Sequence, residues 1–60
     1  MFSRLKRVLV VDDSPDYIFL YKTMLRRLDL EVLSARDGFE AAEILASNQV
    51  DLIVTDFNMP

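Results

Sequence analysis

The strongest structural signal in the chain lies at residues 8–16, which read VLVVDDSPD. Residues 8–11 form an uninterrupted apolar run that is rich in β-branched side chains and lacks polar–apolar alternation. Runs of this kind are typical of strands that are buried on both faces of a parallel sheet. Residues 14–16 combine an N-cap serine, a proline at the first helical position and an acid in the first turn, and therefore predict the start of a helix.

The same patterns continue along the chain and predict five alternating elements. We predict strands at about 6–12, 31–35 and 51–56, and helices at about 15–28 and 38–47. Short connections between nearly continuous apolar strands indicate parallel strands joined by right-handed crossovers. The predicted fold class is therefore α/β, with the order βαβαβ.

Each predicted helix has an apolar side, defined by residues three and four positions apart. In the first helix we expect the inward residues to be Tyr17, Tyr21, Met24, Leu25 and Leu28. In the second helix we expect them to be Phe39, Ala42, Leu45 and Ala46. Phe19 is expected to point away from the core. Asp29 follows the first helix where a left-handed cap favours glycine.

Composition excludes several classes of protein. Seven basic and ten acidic residues give a net charge of −3, which argues against nucleic acid or an anionic membrane as a direct partner. With no cysteine, neither a disulfide nor a thiolate metal site is available. The basic residues 1–7 resemble the start of a signal peptide, but the apolar run behind them is short and ends in two aspartates. We therefore expect no export signal, no membrane span and a cytoplasmic location.

Three aspartates follow predicted strands. Asp12 and Asp13 follow the first strand, and Asp56 follows the third. If these strands are neighbours, all three carboxylates lie at one edge of the sheet, where parallel α/β sheets bind ligands. Two carboxylates about 4 Å apart repel by roughly 4 kcal/mol at an effective dielectric constant of ~20, so the cluster requires a counter-charge. Carboxylates, a carbonyl and water are the ligands that Mg²⁺ prefers.

Each aspartate also has an ordinary structural explanation, because an acid after a strand often serves as a helix cap or a turn residue. For Asp56 alone, a turn role before Asn58 and Pro60 is the simpler interpretation. The combination of an acidic pair after one strand with a further acid after another favours the functional interpretation.

Three stretches together resemble a known family. They are VLVVDDS at 8–14, ARDGFEA at 35–41 and DLIVTDFNMP at 51–60. They resemble the first half of a response regulator receiver domain, and the resemblance covers essentially the whole chain, residues 1–60. The family fold is a flavodoxin-like, doubly wound parallel sheet of five strands in the order 2-1-3-4-5. The resemblance thus implies an incomplete sheet with the strand order 2-1-3.

The resemblance also implies roles for individual residues. Asp56 matches the aspartate that accepts a phosphoryl group from a histidine kinase or a phosphotransfer protein. Asp13 matches the carboxylate bound directly to Mg²⁺, and Asp12 matches the carboxylate that acts through water. Asn58 matches the position whose backbone carbonyl completes the protein ligands. The implied protein is a phosphoacceptor in two-component signalling and not a classical enzyme, although the family catalyses its own phosphorylation.

Two further expectations concern the chain as a half domain. The family's hydroxyl residue after strand four, lysine after strand five and switching aromatic have no counterpart in residues 1–60, so we expect these residues alone to lack the switch and full activity. The third strand is expected to lie at an edge of the sheet and to support a homodimer. The alternative to phosphorelay signalling is an interaction or self-associating structural module that is never phosphorylated.

Overall fold

The three strands form a single parallel sheet with two helices. The computed structural model describes residues 6–55. The elements in chain order are β1 (Arg7–Val11), α1 (Pro15–Arg26), β2 (Glu31–Ala35), α2 (Gly38–Ser47) and β3 (Leu52–Thr55). The sheet has the order β2-β1-β3, so the predicted α/β class and the strand order 2-1-3 are confirmed. Helix α1 ends at Arg26, whereas the sequence pattern predicted that it ends at about residue 28.

Strand β1 lies at the centre of the molecule. Leu9 is paired with Leu33 of β2 on one side and with Ile53 of β3 on the other. Val8, Leu9 and Val10 have no exposed surface, because β1 has a strand at each edge and packed residues on both faces. This arrangement explains why the sequence of β1 is apolar without alternation.

The helices cover opposite faces of the sheet. The chain crosses from β1 to β2 through α1 and then returns past β1 to β3 through α2. Two right-handed crossovers in opposite directions place their helices on opposite faces. On the α2 face, the buried cluster comprises Leu9, Val11, Ala35 and Ala41, with Leu33, Ile44 and Val50 packed against it. Within residues 6–55, neither helix has the length and apolar character needed to cross a membrane.

The predicted inward faces of the helices are partly wrong. Tyr21 and Leu25 are half-buried as predicted. The residues that are exposed instead are Tyr17 and Met24 in α1, Leu28 just after α1, and Phe39, Ala42, Leu45 and Ala46 in α2. Those that turn inward are Ile18 in α1, and Ala41 and Ile44 in α2. Both helices carry apolar residues on more than one side. The spacing of three and four positions is therefore compatible with either of two sides of the helix facing the sheet. Phe19 is 72% exposed, as expected.

A reciprocal pair of hydrogen bonds begins α2. The Asp37 carboxylate accepts from the Glu40 N–H at 2.8 Å, and the Glu40 carboxylate accepts from the Arg36 N–H at 2.7 Å. This arrangement, which is similar to a capping box, satisfies two backbone donors around the first helical turn. It holds the loop between β2 and α2 in a defined position at the carboxyl edge of the sheet.

A second set of contacts ties together the amino ends of the strands. The Asp51 carboxylate accepts from the backbone N–H groups of Lys6 and Arg7, both at 2.9 Å. The Arg7 guanidinium pairs with Glu31 of β2 at 3.1 Å and donates to the Gln49 carbonyl at 3.4 Å. These contacts connect the starts of β1, β2 and β3 at the edge opposite the acidic pair. We call them the amino-edge clamp.

Asp29 has a left-handed backbone conformation. Its φ is 66°, and no other non-glycine residue within 6–55 has a positive φ. The Asp29 N–H donates to the Arg26 carbonyl at 3.0 Å, so this conformation closes the end of α1. Aspartate tolerates the left-handed region better than most residues, yet glycine adopts it with less strain.

We predict that Asp29→Gly raises the free energy of unfolding by about 0.5–1 kcal/mol, because it removes side-chain strain at the left-handed position. Urea denaturation measures the change. Arg27→Gly is the matched control, since Arg27 has a helical φ of −67° and glycine there should be destabilising. Equal destabilisation by both substitutions would contradict the prediction.

The amino-edge clamp predicts a pH effect. Hydrogen bonds from the backbone N–H groups of Lys6 and then Arg7 lower the pKa of Asp51 below its usual 3.8. A group whose pKa is lower in the folded state contributes stability above its unfolded pKa and loses it as the pH falls through its folded pKa. Asp51→Asn should therefore lower the urea midpoint at pH 7, and the difference from the parent should shrink below pH 3.8.

The urea midpoints of Asp51→Asn and of the parent protein, measured from pH 7 to below pH 3.8, test this effect. Glu43→Gln removes the same charge from an exposed position on α2 and serves as the control. A constant difference between Asp51→Asn and the parent protein at every pH would show that the clamp does not act through the charged carboxylate.

Candidate functional site

The acidic pair lies at the carboxyl end of β1. Asp12 is only 2% exposed, and within residues 6–55 it is the one buried charged side chain. Its N–H donates to the Ala35 carbonyl at 3.0 Å, which continues the contact with β2 one residue beyond the strand. Its carboxylate Oδ1 accepts from the Ser14 N–H at 2.9 Å. A buried carboxylate requires such partners because leaving water is costly for the charged form.

The turn after Asp12 places the start of α1 beside the acids. Ser14 is extended, with φ −99° and ψ 117°, and its Oγ accepts from the Tyr17 N–H at 3.4 Å. Pro15 occupies the first turn, where its missing N–H costs nothing. Asp12 and Asp13 therefore lie next to the positive end of the α1 dipole, which favours negative charge nearby.

Asp13 is exposed and borders a cavity of about 480 Å³. The residues lining this cavity are Asp13, Pro15, Ile18, Phe19, Lys22 and Arg36. They come from the first half of α1 and from the loop between β2 and α2, and they combine apolar side chains with two cations. We call this feature the α1 cavity. It was not predicted from the sequence, which indicated only that Phe19 points away from the core.

The ends of β1 and β3 are neighbours. Val11 is paired with Thr55, and these are the residues that precede Asp12 and Asp56 in the sequence. Asp56 and Asn58 themselves lie outside the described residues, so their predicted roles stay predictions. Of the predicted site residues, the structure describes Asp12 and Asp13, which lie directly after β1. Within residues 6–55 no group of three or more acids, histidines or cysteines is placed to hold a metal ion.

The two described carboxylates fit the requirements of a hard divalent cation. Both donors are oxygen, and the Ser14 N–H holds one carboxylate in place while the other is open to solvent. Mg²⁺ binds proteins through one or two carboxylates and retains several waters. A magnesium-binding role for Asp12 and Asp13 stays a prediction from the sequence.

Asp51 is an acid whose importance the sequence patterns did not reveal. With Lys6, Arg7 and Gln49 it lines a second cavity, of about 320 Å³, at the amino edge of the sheet. Its carboxylate already accepts two backbone hydrogen bonds, so its role in the amino-edge clamp is structural. An acid directly before an apolar strand was the available signal in the sequence, but the partners of Asp51 depend on strand pairing.

Comparison with known proteins identifies the family of the chain. The family model of the response regulator receiver domain matches residues 8–60. The chain is 42% identical over 55 residues to the response regulator protein PilR of Pseudomonas aeruginosa, covering 92% of this chain and 12% of that protein. It is 38% identical over 53 residues to the sensor histidine kinase RcsC of Escherichia coli, covering 88% and 6%.

The response regulator GtcR of Aneurinibacillus migulanus is 36% identical over 55 residues, covering 92% of this chain and 23% of that protein. The chain thus spans less than a quarter of the length of each of these relatives. No solved structure matches the chain significantly. With the acidic pair at the end of β1, the strand order β2-β1-β3 and a family match from Val8 to Pro60, the chain belongs to the response regulator receiver domains, which are phosphoacceptor modules of two-component signalling.

Proposed function

We propose that the chain is the phosphoacceptor receiver module of a two-component phosphorelay, in which Asp56 accepts the phosphoryl group. One observation carries the proposal: β1 and β3 end side by side, and the acidic pair Asp12 and Asp13 follows the end of β1. The family match includes Asp56 and Asn58 and supports carrying the sequence-based roles over to them. The cytoplasmic location expected from the sequence is part of the same proposal.

The acidic pair has a distinct task for each member. Asp13, which is exposed, would bind Mg²⁺ directly, and buried Asp12 would act through a bound water. Asp56 and the backbone carbonyl of Asn58 would complete the protein ligands. When bound, Mg²⁺ supplies positive charge that offsets the phosphoryl oxygens and the carboxylates. The Ser14 N–H keeps Asp12 oriented, and the α1 dipole adds to the positive potential.

The reaction transfers a phosphoryl group between two side chains. A carboxylate oxygen of Asp56 attacks phosphorus in line, and the bond from phosphorus to the donor histidine nitrogen breaks. The electron pair of that bond remains on the imidazole, which leaves as the neutral ring once it takes up a proton. The product is an acyl phosphate on Asp56. The residues of the site position the donor and offset charge; they undergo no other covalent change.

The α1 cavity provides a surface for the phosphodonor protein. It lies beside Asp13, and Phe19 on its border is 72% exposed. Pro15, Ile18 and Phe19 line the cavity together, and contiguous exposed apolar surface is typical of a site that binds another protein. Lys22 and Arg36 add positive charge on the side from which a phosphorylated donor approaches. We therefore propose a histidine kinase or phosphotransfer protein as the partner at this surface.

Labelling with a small phosphodonor tests the proposed acceptor. In the presence of Mg²⁺ and acetyl phosphate, we expect a mass gain of one phosphoryl group, at a low rate for residues 1–60 alone. Asp56→Asn should reduce labelling at least about tenfold, because it replaces the carboxylate nucleophile by an amide. Asp29→Asn is the matched control, since it removes an aspartate from the end of α1 and should retain labelling. Equal labelling of Asp56→Asn and the parent would refute the proposal.

Thermal unfolding tests the metal site. In chelator, Asp13→Asn should raise the melting temperature, because one carboxylate of a repelling cluster is removed. A gain of about 1 kcal/mol corresponds to roughly 4–8 °C for a domain of this size. The same substitution should weaken the stabilisation that Mg²⁺ provides by binding the folded state. Asp16→Asn, in the first turn of α1, is the control. Unchanged Mg²⁺ stabilisation in Asp13→Asn would exclude Asp13 as a ligand.

A further inference from the structure

The α1 cavity lies between α1 and the carboxyl end of the edge strand β2. Pro15, Phe19 and Lys22 are spaced by four and three residues, so they share one side of α1, and Arg36 directly follows β2. In the family order 2-1-3-4-5, β2 stays at the edge of the sheet and the further strands follow β3. The cavity therefore lies away from the side on which the sheet of the family continues.

Hydrogen bonds hold both walls of the α1 cavity in place. On one side, the Ser14 Oγ accepts from the Tyr17 N–H at 3.4 Å and caps α1, and Pro15 fixes the backbone of the first helical turn. On the other side, the Glu40 carboxylate accepts from the Arg36 N–H at 2.7 Å and holds the loop after β2. A cavity between two fixed elements keeps its shape without a ligand, as small-molecule sites usually do.

The α1 cavity has the size and the apolar lining of a small-molecule site. Its volume of about 480 Å³ lies within the roughly 300–1,000 Å³ that is typical of such sites. Half-buried Ile18 and the exposed side chains of Pro15 and Phe19 provide the apolar surface. The Phe19 ring is 72% exposed and is therefore available to stack on a flat ligand. The lining thus fits a ligand with a flat apolar body.

Two cations line the α1 cavity, although the chain as a whole has a net charge of −3. Within residues 6–55, no carboxylate lies within 4 Å of the Lys22 ammonium, and Arg36 pairs with Glu40 at 3.8 Å. The Arg36 side chain is 79% exposed, so this pair is weak and leaves the guanidinium able to bind another anion. Asp13 is the one acid in the lining and disfavours a ligand with a second negative charge.

We propose that the α1 cavity binds a small organic anion that combines a flat apolar body with one carboxylate. The apolar body packs on Ile18 and Phe19, and the carboxylate lies between Lys22 and Arg36. Binding of this anion requires neither Mg²⁺ nor phosphoryl transfer and so goes beyond the proposed function. Its regulatory consequence rests on that function, because a bound anion would occupy the surface proposed for the phosphodonor protein and compete with it.

Nuclear magnetic resonance titration of the ¹⁵N-labelled 60-residue chain tests the site with 2-naphthoate, a rigid aromatic monoanion. We expect a dissociation constant of about 0.1–2 mM, since a ligand of this size makes few contacts. The amide resonances that shift should be those of residues 13–22 and 36–37. Neutral 2-naphthamide has a similar shape and should bind at least about threefold more weakly, because it lacks the charge that Lys22 and Arg36 attract.

Substitutions separate the contribution of charge from that of the apolar surface. Lys22→Gln and Arg36→Gln should each weaken the binding of 2-naphthoate about three- to tenfold and leave that of 2-naphthamide unchanged. Phe19→Ser should weaken the binding of both probes, because it removes the stacking surface. Arg27→Gln is the matched control, since it removes a cation that follows α1 and does not line the cavity. The amide spectrum of each variant shows that it is folded.

Two results would overturn the proposal. The first is equal affinity for 2-naphthoate and 2-naphthamide, which would show that the two cations contribute nothing to binding. The second is the absence of shifts around the cavity at about 10 mM 2-naphthoate, several times the expected dissociation constant, which would leave the cavity to a protein partner. Neither result bears on the role of Asp56, because the titration contains no phosphodonor.

Discussion

Strand β1 is enclosed from four directions, by β2 and β3 at its edges and by packed residues on its two faces. Val8, Leu9 and Val10 consequently have no exposed surface, and their burial provides the main hydrophobic stabilisation of a small sheet. The acidic site depends on this burial. Asp12 remains attached to the sheet through the Ala35 carbonyl, so the point where the apolar run stops is also the point where the carboxylates are presented.

Acidic residues have different roles at the amino edge and at the carboxyl edge of the sheet. At the amino edge, the Asp51 carboxylate accepts two backbone N–H groups and aligns the starts of β1 and β3. At the carboxyl edge, Asp12 accepts from the Ser14 N–H, while Asp13 is exposed beside the α1 cavity. At the amino edge, the charge of Asp51 is therefore stabilised by hydrogen bonds within the protein. The carboxyl edge presents charge to solvent, which suits a site that binds Mg²⁺ and an incoming phosphoryl group.

The sequence by itself determined the local elements and the chemistry of the site. The VLVV run required a strand buried on both faces, Ser14 and Pro15 required a helix start, and Asp12 and Asp13 followed directly. The local elements and the acidic pair depend on residues close together in the chain, whereas the strand order 2-1-3 was implied by the family resemblance.

Tertiary structure alone decided the features that depend on distant pairing. Tyr17, Met24 and Leu28 fit an inward stripe by spacing, yet they are exposed, because the packing of this segment on the sheet decides which of its sides turns inward. The partners of Asp51 are 44 and 45 positions away, so no local pattern reveals the amino-edge clamp. Likewise, the α1 cavity is lined both by Phe19 of α1 and by Arg36 of the loop between β2 and α2, which are distant in the sequence. Local patterns specify helices and strands, whereas contacts between them follow from the register in which the strands assemble.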